Sequence, residues 1–186
     1  SEHSALKPLL QLISEHQALI DSKRPLVSKN SCGYNLFGLA EGLSRGVLDL
    51  PKLFVGSEGT LGIMSEAKLT LVPKPQGTLT ALIHFKHLEE VGEAIPHLLR
   101  LRPSALEVMD ANTLDLIGRS KHGIPADAAA TLLAELDTLD ESSDLRERAD
   151  RMSAACRQYR LCGELTVAYD KEQRDQLWKA RKALYP

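Results

Sequence analysis

One stretch of this sequence holds most of the chemistry that residue type and spacing can suggest. Leu53-Phe-Val-Gly-Ser-Glu-Gly-Thr-Leu-Gly-Ile-Met64 places Gly56, Gly59 and Gly62 at every third position. Glycine takes positive φ without a Cβ penalty and lets the backbone approach a ligand closely. A turn of this kind presents backbone N–H groups to an anion such as a phosphate. It is not a P-loop, because no Gly-Lys-Ser/Thr ending follows. It also leads toward a strand, not toward the helix of a dinucleotide fingerprint. A glycine turn that only reverses the chain fits the spacing as well.

Two further groups carry polar chemistry. Lys29-Asn-Ser-Cys-Gly-Tyr-Asn-Leu36 has the turn-rich composition of loops that hold ligands, and equally that of a plain surface loop. Near the other end lies Leu177-Trp-Lys-Ala-Arg181, with Arg174, Lys179 and Lys182 close by. A guanidinium grips a carboxylate through two parallel hydrogen bonds. Helix spacing by itself favours a solvated basic face here. Tyr185 follows one turn after Arg181 and can face the same ligand. Trp178 reads as an apolar core anchor.

Composition bounds the function classes. The chain has 186 residues, 43% hydrophobic and 26% charged, as expected of a soluble globular protein of one domain or two small ones. A formal net charge of −2 argues against a nucleic-acid footprint, which needs a basic patch. No apolar run approaches the length of a transmembrane helix. Cys32, Cys156 and Cys162 are odd in number and lack C-x-x-C spacing, which suggests reduced thiols in a cytosolic protein. The six histidines, His3, His16, His84, His87, His97 and His122, show no metal-ligand spacing, so no metal site is assigned.

The elements that must position these groups follow from periodicity. Residues 4–20 carry Leu6, Leu9, Leu10, Ile13 and Ile20 on one helical face. A short helix is expected between Phe37 and Leu53. Residues 63–72 alternate Ile63, Ala67, Leu69 and Leu71 against Glu66, Lys68 and Thr70, which predicts a strand. Val72-Pro-Lys-Pro-Gln-Gly77 breaks the pattern and is the best domain boundary. Beyond it come a strand at 79–85 and a helix at 87–100 with Val91, Ile95, Leu98 and Leu99 inward. Pro96 is expected to kink or divide that helix. A strand at 105–109, a short helix at 112–117 and a loop at 118–127 follow. Then come a strand at 131–136, a helix at 144–159, a strand at 162–169 and a last helix. Asp144 with Glu147, and Asp170 with Gln173, have the spacing of helix caps. The order predicts an α+β layer with helices packed on one face of a sheet.

The glycine stretch, its strand-like exit and Pro73-Lys-Pro75 together resemble the FAD-linked oxidases of the vanillyl-alcohol-oxidase type. Within them the resemblance is to the glycolate, D-lactate and D-2-hydroxyglutarate dehydrogenases. Lys29 to Leu36 is similar to that family's Asn-Thr-x-Gly-Tyr-x-Leu segment. Ala105-Leu-Glu-Val-Met-Asp110 resembles a strand of its second domain. Leu177 to Pro186 resembles its Leu-Trp-x-x-Arg motif. The implied fold is the C-terminal part of a PCMH-type FAD-binding domain over 1–75. A truncated, ferredoxin-like antiparallel-sheet cap domain would follow over 76–186.

The resemblance implies FAD as cofactor and a small hydroxy acid as substrate. It places Glu58, Gly59, Thr60, Leu61, Gly62 and Ile63 against the flavin, with Asn30 and Tyr34 as secondary contacts. It gives Arg181 the substrate carboxylate and makes Tyr185 a further substrate contact. Two earlier flavin loops and a later histidine-rich motif of the family have no counterpart here. The chain is therefore expected to be an internal piece of a larger, cytoplasmic or peripherally membrane-associated enzyme, inactive alone. Its base and metal ligands would lie elsewhere, and an iron–sulfur domain or subunit is compatible with the parent. The electron acceptor is left open. Two alternatives stand beside this reading: another flavoenzyme of the same type, such as an alcohol oxidase or ether-lipid synthase, and a non-catalytic α+β binding module.

Overall fold

A computed structural model describes residues 6–27, 30–140 and 144–184. The chain divides into two compact units, Ser1–Thr70 and Leu71–Pro186.

The first unit is helical. The amphipathic stretch forms two helices, α1 (Leu6–Glu15) and α2 (Gln17–Ser22), instead of one. His16, at φ −111° and ψ 15°, leaves helical geometry between them. Both pack on α3 (Leu36–Ser44), so Ile13, Ile20, Leu39, Ala40 and Leu53 share one small core. Asn35 starts α3 by accepting the Gly38 N–H at 2.9 Å, satisfying one of the orphan donors of a helix start. A single turn, α4 (Pro51–Phe54), leads into the glycine stretch, with proline in the first turn, where its missing N–H costs nothing.

The strand expected at 63–72 does not form among the described residues. Its alternating apolar side chains stand in solvent: Ile63 is 100%, Leu69 77% and Leu71 87% exposed. A strand needs a neighbour to take its N–H and C=O groups, and this unit offers none.

The second unit is built on a four-stranded antiparallel sheet. Its strands are β1 (Gly77–Phe85), β2 (Ala105–Asp110), β3 (Ala130–Thr138) and β4 (Thr166–Ala168), in the order β2-β3-β1-β4. β1 pairs with β3 over its whole length, from Gly77 opposite Thr138 to Phe85 opposite Ala130. Two helices, α5 (Leu88–Leu99) and α7 (Leu145–Cys156), make the crossovers of a split β-α-β topology. Their Val91, Ala94, Leu98, Ala149, Met152 and Cys156 pack on Leu79, Ala81, Ile83 and Phe85 of one sheet face. Asp144 caps α7, accepting from the Arg146 and Glu147 N–H groups at 2.7 and 3.2 Å.

Four details differ from the sequence expectation. α5 runs undivided through Pro96, and its inward face uses Ala94 while Leu99 is 55% exposed. The fourth strand is three residues long, because only Thr166 to Ala168 meet β1 in register. A 3-10 turn, Arg119–His122, interrupts the expected loop.

The fourth difference bears on function: helices cover both sheet faces. α6 (Ala111–Ile117) and α8 (Lys171–Lys182) lie opposite α5 and α7. Met109, Leu114, Ile117 and Ala180 form a second core there. The sequence pattern of β1 shows why. Thr80, Leu82 and His84 alternate with the first-face residues and are all buried, so the second face also needs a cover.

Candidate functional site

The glycine stretch forms a tight turn on backbone terms. The Thr60 N–H donates to the Ser57 carbonyl at 3.0 Å, and the Thr60 hydroxyl donates to the same oxygen at 2.6 Å. The residues between them, Glu58 (φ 51°) and Gly59 (φ 79°), both have positive φ, as a type I′ turn requires. Glycine takes that conformation freely; glutamate does so at a cost of about 1 kcal/mol. Ser57 is buried beneath the turn. Glu58 to Ile63 are exposed, and a Cβ at Gly59 would meet nothing within 4 Å. Among the described residues, no acceptor takes the N–H groups of Glu58, Gly59, Leu61, Gly62 or Ile63. The turn thus offers open backbone donors of the kind an anionic cofactor accepts from. Glu58 is the one residue of the group whose charge opposes such a ligand.

The second expected segment meets this turn. The Tyr34 and Thr60 hydroxyls lie 2.9 Å apart. A Cβ on Gly56 would stand 3.6 Å from the Ser31 and Gly33 carbonyl oxygens, so the two segments are in van der Waals reach. Asn30 braces its own loop by accepting the Cys32 N–H at 2.9 Å. Asn30 and Tyr34 also line a cleft of about 310 Å³ with Arg24, Glu41 and Lys52. Arg24, hydrogen-bonded to Glu41 at 2.6 Å, holds that carboxyl below its ordinary range, with Arg45 adding to the effect. Glu58 to Ile63 do not line this cleft. Lys29, at the start of the segment, lies outside the described residues.

In the second unit Arg181 is not on a solvated basic face. Its side chain is 22% exposed, and its Nε donates to Glu107 Oε2 of β2 at 2.9 Å. Lys179 and Lys182 are exposed, while Arg174, Trp178 and Arg181 turn toward the sheet. A partly exposed ion pair contributes about 0–1 kcal/mol net, so the consequence of this one is geometric rather than energetic. Trp178 is half-buried and polar in its anchoring, since its indole N–H donates to Glu135 Oε2 at 2.9 Å. Thr80 donates to the same oxygen at 2.9 Å. Tyr185 lies outside the described residues.

Glu107 and Glu135 were not singled out by spacing. A signal was available: each is a carboxylate inside a largely apolar strand, Ala105-Leu-Glu-Val-Met and Thr131-Leu-Leu-Ala-Glu-Leu136. A carboxylate in such a place needs donors; α8 supplies one to each, and Thr80 of β1 a second to Glu135.

Two further titratable groups of this unit are set by burial. His84 Nδ1 lies 2.9 Å from the Thr131 hydroxyl, and burial holds the imidazole below its ordinary pKa. Burial pushes the Cys156 thiol up to about 11. Among the described residues, no group of three His, Cys, Asp or Glu side chains is arranged to hold a metal. No helix among them is long and apolar enough to cross a membrane.

Comparison with known proteins gives the family of the chain. The chain is 33% identical over 141 residues to the glycolate oxidase subunit GlcD of Escherichia coli strain K12, covering 74% of this chain and 28% of that protein. It is 29% identical over 162 residues to D-lactate dehydrogenase [cytochrome] 1, mitochondrial, of Saccharomyces cerevisiae, covering 86% of this chain and 25% of that protein. It is 27% identical over 147 residues to the mitochondrial D-2-hydroxyglutarate dehydrogenase of Arabidopsis thaliana, covering 73% and 25%. The chain thus spans between a quarter and a third of the length of these relatives. The family model for the C-terminal domain of FAD linked oxidases matches residues 74–186, essentially the whole second unit with its sheet and α8, and the chain belongs to the FAD-linked oxidase family.

Proposed function

We propose that this chain is an internal part of a flavin-dependent dehydrogenase that oxidises a small 2-hydroxy acid of the glycolate, D-lactate or 2-hydroxyglutarate class. The observation that carries this reading is family membership joined to the placement of Arg181. The family is FAD-linked by name, and the relatives named above act on such acids by their names. A guanidinium suits a carboxylate through two parallel hydrogen bonds, and Glu107 orients this one through Nε.

The glycine turn fits the cofactor. Its open N–H groups from Glu58 to Ile63, with Tyr34 closing the neighbouring loop upon it, would form one wall of the flavin site. The chemistry that bound FAD would supply is acceptance of a hydride from C2 of the substrate. This chain's share is orientation: Arg181 holds the carboxylate so that C2 meets the cofactor. Glu58 serves as a loop brace or ribose contact, and Asn30 acts through its loop. Tyr185 would add a second substrate contact one turn past Arg181. The family resemblance assigns the proton-accepting base and metal ligands to a histidine-rich segment with no counterpart here.

On this reading residues 1–75 are the end of a PCMH-type FAD-binding domain and 76–186 the start of the cap domain. The exposed apolar pattern of Ile63, Leu69 and Leu71 supports it, as an edge that the rest of such a domain would cover. The parent enzyme would be cytoplasmic or peripheral to a membrane, and an iron–sulfur domain or subunit is compatible with it.

Replacement of Arg181 by Met in the flavin-loaded parent tests the reading. KM for a 2-hydroxy acid should rise about a hundredfold, while that for a neutral alcohol should not move. Unchanged hydroxy-acid kinetics would remove the carboxylate role and favour an alcohol oxidase. A purified parent protein without flavin absorbance near about 450 nm would favour a non-catalytic module.

A further inference from the structure

The face of α8 that meets the sheet carries polar anchors beside its apolar edge. Docked helices normally settle through an apolar stripe at i, i+4 and i+7. In α8 an apolar edge of Leu177 and Ala180, continued by Leu184, is present, and beside it Arg174, Trp178 and Arg181 occupy the i, i+4 and i+7 positions. Each of the three carries an N–H donor, and each meets an acceptor on a different strand. Arg174 Nη1 donates to the Thr78 carbonyl of β1 at 2.9 Å. Trp178 Nε1 donates to Glu135 Oε2 of β3 at 2.9 Å. Arg181 Nε donates to Glu107 Oε2 of β2 at 2.9 Å.

β1, β3 and β2 are successive neighbours in the sheet. α8 itself packs on β1 and β4, so Trp178 and Arg181 reach β3 and β2 through the length of their side chains. The two carboxylates sit on one sheet face, since Glu135 is opposite Ala105 and Glu107 lies two residues further along β2. Glu135 is held independently of α8 by Thr80 at 2.9 Å, and Ser104 donates to its carbonyl at 3.3 Å.

We infer that Glu107 is a positioning residue for substrate recognition: it fixes the Arg181 guanidinium through Nε, while Glu135 fixes the preceding turn of α8 through Trp178. The inference rests on the proposed role of Arg181 in binding the substrate carboxylate. Arginine has many rotamers, and freezing them at the moment of binding weakens affinity. Glu107 freezes them in the folded protein. It does so through Nε, one of the five N–H donors of the guanidinium. Its charge works the other way, because it opposes a second carboxylate nearby. Geometry and charge thus make opposite predictions for a neutral isostere.

The test uses Glu107→Ala, Glu107→Gln and Arg181→Met, singly and combined, in the flavin-loaded parent enzyme. Glu107→Ala should raise KM for a 2-hydroxy acid about tenfold, with flavin absorbance retained and kcat within about twofold. Glu107→Gln keeps an acceptor oxygen and should stay within about threefold of the parent KM. In the Arg181→Met background, Glu107→Ala should add nothing further, because its effect passes through the lost guanidinium. A Glu107→Ala effect that persists undiminished in that background overturns the inference. So does an unchanged KM in Glu107→Ala, or a Glu107→Gln enzyme whose KM falls or rises tenfold. The Gln variant decides the matter if the Ala variant does not fold. An Arg181→Met enzyme with unchanged KM overturns the proposed function as well, whereas failure of the Glu107 variants alone leaves that function standing.

Discussion

Tyr34 and Thr60 are 26 residues apart in sequence, and their hydroxyls meet at 2.9 Å. The bond joins the Asn30 to Tyr34 loop to the glycine turn, the two segments whose composition suggested ligand contacts. The same Thr60 hydroxyl donates to Ser57, so it is the node at which turn and loop are tied.

The turn should respond to substitution by conformation, not by packing. Glu58→Gly relieves a positive φ and should hold or raise stability by up to about 1 kcal/mol. Gly59→Ala faces open space yet should cost about 1 kcal/mol, because alanine resists φ 79°. Thermal unfolding of both variants checks this. Equal effects of the same sign would show that φ does not govern the turn.

Trp178 is the single tryptophan of the chain, so its fluorescence reports the docking of α8. Glu135→Leu leaves the indole and Thr80 donors without their acceptor and should cost about 2 kcal/mol. Emission should shift to longer wavelength as the indole gains water. A blue-shifted or unmoved spectrum would mean that the carboxylate does not anchor the helix.

Burial sets His84 below its ordinary value of 6.5, so the unfolded chain binds that proton more readily than the folded one. The stability contributed by neutral His84 is then full above about pH 6.5 and is lost as pH falls through that value toward the folded pKa. His84→Gln should narrow the difference in Tm between about pH 7.5 and about pH 5.5. The carboxyls of Asp110 and Asp127 are held below 3.8, Asp110 by Thr113 and Asp127 by Lys86. They lose their contribution in a more acidic window and do not mask the histidine. An unchanged pH profile in His84→Gln would count against this assignment.

Thiol chemistry should separate the cysteines. Cys32 is exposed, whereas Cys156 is buried and its thiol is pushed up to about 11. Reaction with a maleimide or disulfide reagent near neutral pH should be complete at Cys32 before Cys156 reacts at all, because the thiolate is the reacting species. Peptide mapping of the labelled protein reads this directly. Labelling of Cys156 in the native protein would show that α7 opens readily.

Features that depend on neighbours in sequence were legible without a structure. Asp144 and Asp170 cap their helices as their spacing suggests, Asp170 by accepting the Gln173 N–H at 2.9 Å, because a cap reaches only two or three residues along its own chain. The alternation of Leu79, Ala81, Ile83 and Phe85 marked β1 for the same reason, since strand period is a local property. The glycine turn was equally readable, down to its positive φ at Gly59.

What depended on distant partners was not. Residues 63–72 have strand period but no strand beside them, and period alone cannot supply the hydrogen bonds of a ladder. Helices on one sheet face were expected, yet α6 and α8 cover the other, because a central strand buried on both sides demands it. Arg181 meets Glu107 across 74 residues and Trp178 meets Glu135 across 43. The sequence by itself determined the helix caps, the glycine turn and the central strands, through short-range sterics and hydrogen bonds, but not the fate of residues 63–72. Tertiary structure alone decided which carboxylate each donor of α8 would meet, because sheet order and register set which carboxylates lie within reach of its side chains.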